Sequence, residues 1–151
     1  VRYAGRRIES TSTAPLVVFD RAVALIDAEA RLVETNVLAV TLRWQYARGA
    51  DDAIVFVHVL NASGELIAQA DGPVMDMLPF WQWPRGDQVE EVRYIPIGSA
   101  RAARVNVGLY HPITGDRLAP VDIHGVAYAD GAAPLFELDV GAEAIRPVIG
   151  R

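Results

Sequence analysis

Two residue types are missing altogether from this chain of 151 residues, cysteine and lysine. Without cysteine there can be no disulfide, no thiolate nucleophile and no Cys-ligated zinc. Without lysine, all 14 basic residues are arginine, set against 19 acidic ones for a formal charge of −5. Arg6-Arg7 is the only adjacent basic pair, and Glu9 follows it closely. Nucleic-acid binding leaves a basic stripe that displaces counterions from phosphates. No such stripe exists here, so nucleic acid is not expected as a partner. Long apolar runs are lacking as well. None nears the ~18–20 residues of a membrane-spanning helix, so this stretch is not expected to insert into a bilayer. A phosphate-cradling glycine loop, a dinucleotide fingerprint and a Gly-x-Ser-x-Gly nucleophile elbow are also absent. Ser10, Ser12, Ser63 and Ser99 all fall in terminal or turn contexts.

What remains is apolar and globular, with 52% hydrophobic and 22% charged residues. The length suits one domain over residues 1–151, whose core removes about 68–70% of the unfolded surface from water. The first residue is Val1, so the chain reads as a fragment or processed product of something longer. Residues 1–14 and 142–151 read as loosely held ends.

Period-2 patterning dominates the interior. From Val37 to Tyr46, the residues Leu38, Val40, Leu42, Trp44 and Tyr46 share one face, while Thr41, Arg43 and Gln45 share the other. That is a strand with a dry side and a wet side. From Ala53 to Leu60 both faces are apolar, which suits a strand covered on both sides. Asn61-Ala62-Ser63-Gly64 predicts a hairpin turn, and Glu65–Asp71 its return strand. Gln88–Ile97 alternates more weakly, Ala103–Tyr110 strongly. After the turn His111-Pro112-Ile113-Thr114-Gly115-Asp116, a return strand is expected at Arg117–Val121. Short strands follow at Val126–Ala129 and Leu135–Val140, and two precede at Leu16–Phe19 and Ala22–Ile26. A helix competes over Arg21–Val33, where Val23, Ala24, Ile26, Ala30 and Val33 partly match a 3.6-residue period; the flanking Val-Val-Phe run favours strand. The expected fold is all-β, a two-layer antiparallel sandwich of about 8–10 strands, immunoglobulin-like or jelly-roll.

The candidates for chemistry are few. His58, His111 and His124 share no ligand spacing, and no carboxylate set completes a metal site. His58 reads as a hydrogen-bonded interior histidine; His111 and His124 read as loop residues. Asp51-Asp52 and Glu90-Glu91 are carboxylate pairs, but no calcium-loop pattern surrounds them. No metal, cofactor or catalytic set is therefore expected. The unusual stretch is Met75 to Gly86, with Phe80, Trp81 and Trp83 among residues that do not alternate. Indole faces stack on the apolar faces of pyranosides, and aromatic residues also anchor protein interfaces. Phe80, Trp81, Gln82, Trp83, Arg85 and Asp87 are thus candidate glycan contacts, or else the tryptophans fold over and cap the core.

Several segments recur together in a known pattern. They are Leu42-Arg43-Trp44-Gln45, Val55 to Leu60 with His58, Gly64, and Ala68-Gln69-Ala70-Asp71-Gly72-Pro73. Trp83-Pro84-Arg85-Gly86-Asp87-Gln88-Val89 and Val107 through Leu118, with Gly108-Leu109-Tyr110 and Arg117, complete it. In these the chain resembles a domain at the extracytoplasmic C-terminus of bacterial multi-span glycosyltransferase-like membrane proteins, of the dolichyl-phosphate-mannose mannosyltransferase type. It departs from that pattern at Phe80, where a Pro-Thr pair would precede the tryptophan, and at Arg101 and Ala103, where a Gly-x-Tyr would stand. The resemblance implies a sandwich module on the outer face of the membrane, with the parent membrane protein as its partner and no catalytic residues of its own. Read from the shared residues themselves, Asp71 is expected to cap the turn after its strand, and Arg117 to pair with Asp116, Asp122 or Asp71. The leading expectation is a non-catalytic accessory module that binds or positions glycan. A purely structural or protein-interaction module is the rival, and a glycan-active hydrolase the third reading.

Overall fold

The alternating segments fold as strands. The computed structural model describes residues 2–8, 14–34, 36–47, 52–74, 86–98, 101–139 and 144–149. Its strands are β1 (Arg2–Ile8), β2 (Val17–Phe19), β3 (Val23–Val33), β4 (Val37–Tyr46), β5 (Ile54–Leu60) and β6 (Leu66–Gly72). They continue with β7 (Gln88–Pro96), β8 (Arg104–Tyr110), β9 (Pro120–Val121), β10 (Ala133–Asp139) and β11 (Ala144–Pro147). One sheet has six strands in the order β1-β7-β4-β3-β2-β9, the other five in the order β11-β10-β8-β5-β6. Every ladder is antiparallel. The protein is a two-layer antiparallel β-sandwich, with a 3-10 turn at Ala129–Gly131.

The inner faces follow the predicted parity. Leu38, Val40, Leu42 and Trp44 of β4 are sealed from solvent, facing Val55, Val57 and Val59 of β5 and Val105, Val107 and Leu109 of β8 in one shared cluster. Burying each large apolar side chain contributes roughly 1.5–3 kcal/mol. Phe19 packs on Trp44 with ring centroids 6.0 Å apart.

Strand β3 explains the helical ambiguity. Its ladder with β4 slips between Leu25 and Asp27, a bulge that leaves Ile26 as an extra residue. Val23 and Leu25 face inward before it, Ala28, Ala30 and Leu32 after it. The inward step from 25 to 28 is three residues long, which mimics a helical period in the sequence.

Elsewhere the structure departs from the expected pattern. Arg2–Ile8 is an edge strand in a seven-pair ladder with β7, although Arg2-Tyr3-Ala4-Gly5-Arg6-Arg7-Ile8 has no apolar alternation. Ala144–Pro147 pairs with β10. Tertiary pairing orders both segments where local pattern gives no signal. Arg117–Val121 does not return along its own sheet. Arg117 makes a single bridge to Tyr110, Leu118 buries into the core, and the chain crosses to the six-stranded sheet, where β9 pairs with β2. Val126–Ala129 contributes only the Val121–Ala127 bridge.

The weak alternation of β7 has a specific cause. Glu91 and Arg93 stand on the inward face between Val89 and Ile95, and both are fully buried. Their side chains pair, with Arg93 Nε donating to Glu91 Oε1. The guanidinium also donates to three backbone carbonyls of the opposite sheet: Val55 at 3.2 Å, Ala70 at 2.9 Å and Gly72 at 3.0 Å. A buried charge is tolerable only when paired and hydrogen-bonded. Arg93 meets both conditions, and in doing so it ties the two sheets together.

Candidate functional site

Parity on β5 places Phe56 and His58 on the outer face of the five-stranded sheet. Register then sets their neighbours: Phe56 lies between Asp71 of β6 and Gly108 of β8, and His58 between Gln69 and Asn106. Phe56 is buried although it points outward. It is covered by His58, with ring centroids 4.4 Å apart, by Tyr110 at 6.3 Å, and by the Arg117 guanidinium, 4.6 Å above the ring centroid. This last contact is a cation–π arrangement.

Two glycines make the stack possible. A Cβ on Gly108 would meet the Phe56 ring at 2.1 Å, and one on Gly131 would meet the Arg117 side chain at 2.7 Å. Gly131 also has φ +64, a left-handed conformation that costs glycine little. Arg117 Nη1 donates to the Asp130 carbonyl at 2.7 Å. The arginine is therefore fixed by a ring on one side, a glycine on the other and a backbone acceptor at its tip, while remaining exposed. It pairs with none of Asp116, Asp122 and Asp71, the partners expected from sequence. A guanidinium already stacked and anchored is the better placed for it, because less rotamer freedom is lost per contact made.

Asp71 completes the patch. Its Oδ2 accepts from Tyr110 Oη at 3.4 Å, and its Oδ1 lies 3.9 Å from His58 Nε2. Burial holds the His58 pKa below the ordinary imidazole value. The Asp71 carboxylate opposes this, and Arg117 adds to it. Burial raises the Tyr110 pKa, with Asp71 contributing in the same direction. His58 is thus no interior histidine. It is a partly exposed outer-face residue, neutral near pH 7. The patch offers an aromatic edge, a carboxylate acceptor, an anchored arginine and a neutral imidazole. Beside His58, the Asn106 Oδ1 is buried with no hydrogen-bond partner.

Of the residues singled out from sequence, Phe80, Trp81, Gln82, Trp83 and Arg85 lie outside the described residues. Asp87 is half-buried just before β7. The neighbouring Gly86 is held to β4, its carbonyl accepting from Gln45 Nε2 at 2.9 Å. The carboxylates Glu90 and Glu91 do not form a site, since parity sends them to opposite faces. Glu90 pairs with Arg43 at 2.9 Å on the outer face, in a cleft of about 280 Å³ also lined by Asp27, Glu29 and Arg31. Among the described residues no three His, Asp or Glu side chains are grouped to hold a metal, and no helix is long and apolar enough to cross a membrane.

The patch was not marked by any single motif. His58, Asp71, Tyr110 and Arg117 lie in four separate stretches of the sequence, and each alone reads as structural. Compared with known proteins, the chain matches no family model, no curated protein and no solved structure.

Proposed function

We propose that this chain is a non-catalytic glycan-binding accessory module, working outside the cytoplasm as part of a glycosyltransferase-like membrane protein. The observation that carries the reading is the outer-face patch of Asp71, Tyr110, His58 and Arg117 over Phe56. Sugar sites combine an apolar surface with a few fixed polar groups that orient hydroxyls. Here Tyr110 supplies ring surface, Asp71 accepts hydroxyl hydrogens and Arg117 donates to hydroxyl or ring oxygens.

Calorimetric titration with a panel of neutral and acidic oligosaccharides tests this reading. Saturable binding that is lost in a folded Arg117→Met variant would support it. A flat response across the panel would refute it. A rival reading, a protein-interaction module, draws on Ile113, exposed at 91%, and on the exposed Ile123 and Val126 of the next turn. If the panel is flat, these apolar turns become the surface to probe.

A further inference from the structure

Resting on the glycan reading, we propose that the outer-face patch selects neutral saccharides and excludes acidic ones, with Asp71 as the discriminating residue. Asp71 is the register partner of Phe56 on β6, and the Arg117 guanidinium lies 4.6 Å over the Phe56 ring, so a negative and a positive group flank one aromatic ring. Tyr110, the other ionisable group, is neutral and donates to Asp71. A neutral ring uses both charged groups at once: its hydroxyls donate to the carboxylate, and its oxygens accept from the guanidinium nitrogens left after the Asp130 contact. Such charge-assisted hydrogen bonds are the stronger kind.

An acidic sugar gains at Arg117 but places its own carboxylate beside Asp71. The arginine cannot swing away to separate the two, because Phe56, Gly131 and the Asp130 carbonyl hold it. The overall charge of −5 adds a long-range field against polyanionic glycans. A pair of opposite charges, one of them immobilised, is therefore suited to polyols and unsuited to uronates or phosphorylated sugars.

The test compares matched pairs differing only at C6, an alcohol against a carboxylate: oligomers of glucose with glucuronate, mannose with mannuronate, and galactose with galacturonate. Affinities are measured by calorimetry on the full 151-residue chain at pH 7.5. For the pair whose stereochemistry fits, the neutral member is expected to bind at least about tenfold tighter, the scale of one charge-assisted hydrogen bond. Asp71→Asn should weaken the neutral sugar and strengthen the uronate, closing the gap. Glu29→Gln, which removes an acidic charge from the outer face of the other sheet, serves as the folded control and should keep the preference. Equal or tighter uronate binding would overturn the selectivity while leaving glycan binding intact. No binding by either member of any pair would overturn the glycan reading and this inference together.

Discussion

Arg93 offers the most direct test of how the two sheets are joined. Replacing it with methionine keeps most of the side-chain volume but removes the charge. It also removes the donors to the Val55, Ala70 and Gly72 carbonyls and the pairing with Glu91. Breaking a fully buried ion pair from one side typically costs about 3–5 kcal/mol, against a total stability of roughly 5–15 kcal/mol for a domain. Arg93→Met should therefore lose about a fifth or more of the folding free energy. The reverse change should be milder. In Glu91→Gln the guanidinium keeps its three carbonyl acceptors and an amide oxygen, so the cost should be about 1.5–3 kcal/mol, that of a charged hydrogen bond. Urea unfolding followed by tryptophan fluorescence and by circular dichroism would measure both, and the double variant would give the coupling. The asymmetry is the critical result. If Arg93→Met costs less than Glu91→Gln, the arginine does not bind the sheets through those carbonyls, and the reasoning fails.

Gly108→Ala should destabilise by about 1–3 kcal/mol, because the new methyl would lie 2.1 Å from the Phe56 ring; Phe56→Leu in the same background should recover part of the loss in thermal melts. The lowered pKa of His58 predicts a pH effect. Its neutral form is favoured in the fold, so the unfolded chain binds more protons and stability falls as pH drops below the ordinary value of 6.5 toward the lower folded one. Melting temperatures between pH 8 and pH 5 should decline more steeply for the parent chain than for His58→Asn, and parallel curves would contradict the assignment.

Period-2 patterning made the architecture readable because one face of most strands is dry. Strand β4 shows this plainly: each of its alternate apolar residues from Leu38 to Tyr46 is buried. The reading weakened wherever an inward position is polar or the parity shifts. Glu91 and Arg93 look like solvent-facing residues until their partners across the sandwich are known. The edge strands β1 and β11 are held by ladders rather than by alternation. The candidate site was legible in its members but not in their assembly. Phe56, Asp71, Tyr110 and Arg117 come from four separate segments, and the registers Phe56 with Asp71 and Ile54 with Tyr110, with the Tyr110–Arg117 bridge, bring them together. Alternation says which way a side chain points and nothing about which strand lies alongside.

The bulge in β3 also bears on how the chain tolerates changes of length. Because Leu25 pairs with Trp44 and Asp27 already pairs with Arg43, excising Ile26 would leave every other pairing and every inward residue where it is. Excising any single residue from Ala28 to Leu32 would turn part of the strand over and bring charged side chains such as Glu29 or Arg31 against the core. Within this strand, a lost codon is silent for the frame at the bulge and disruptive beyond it.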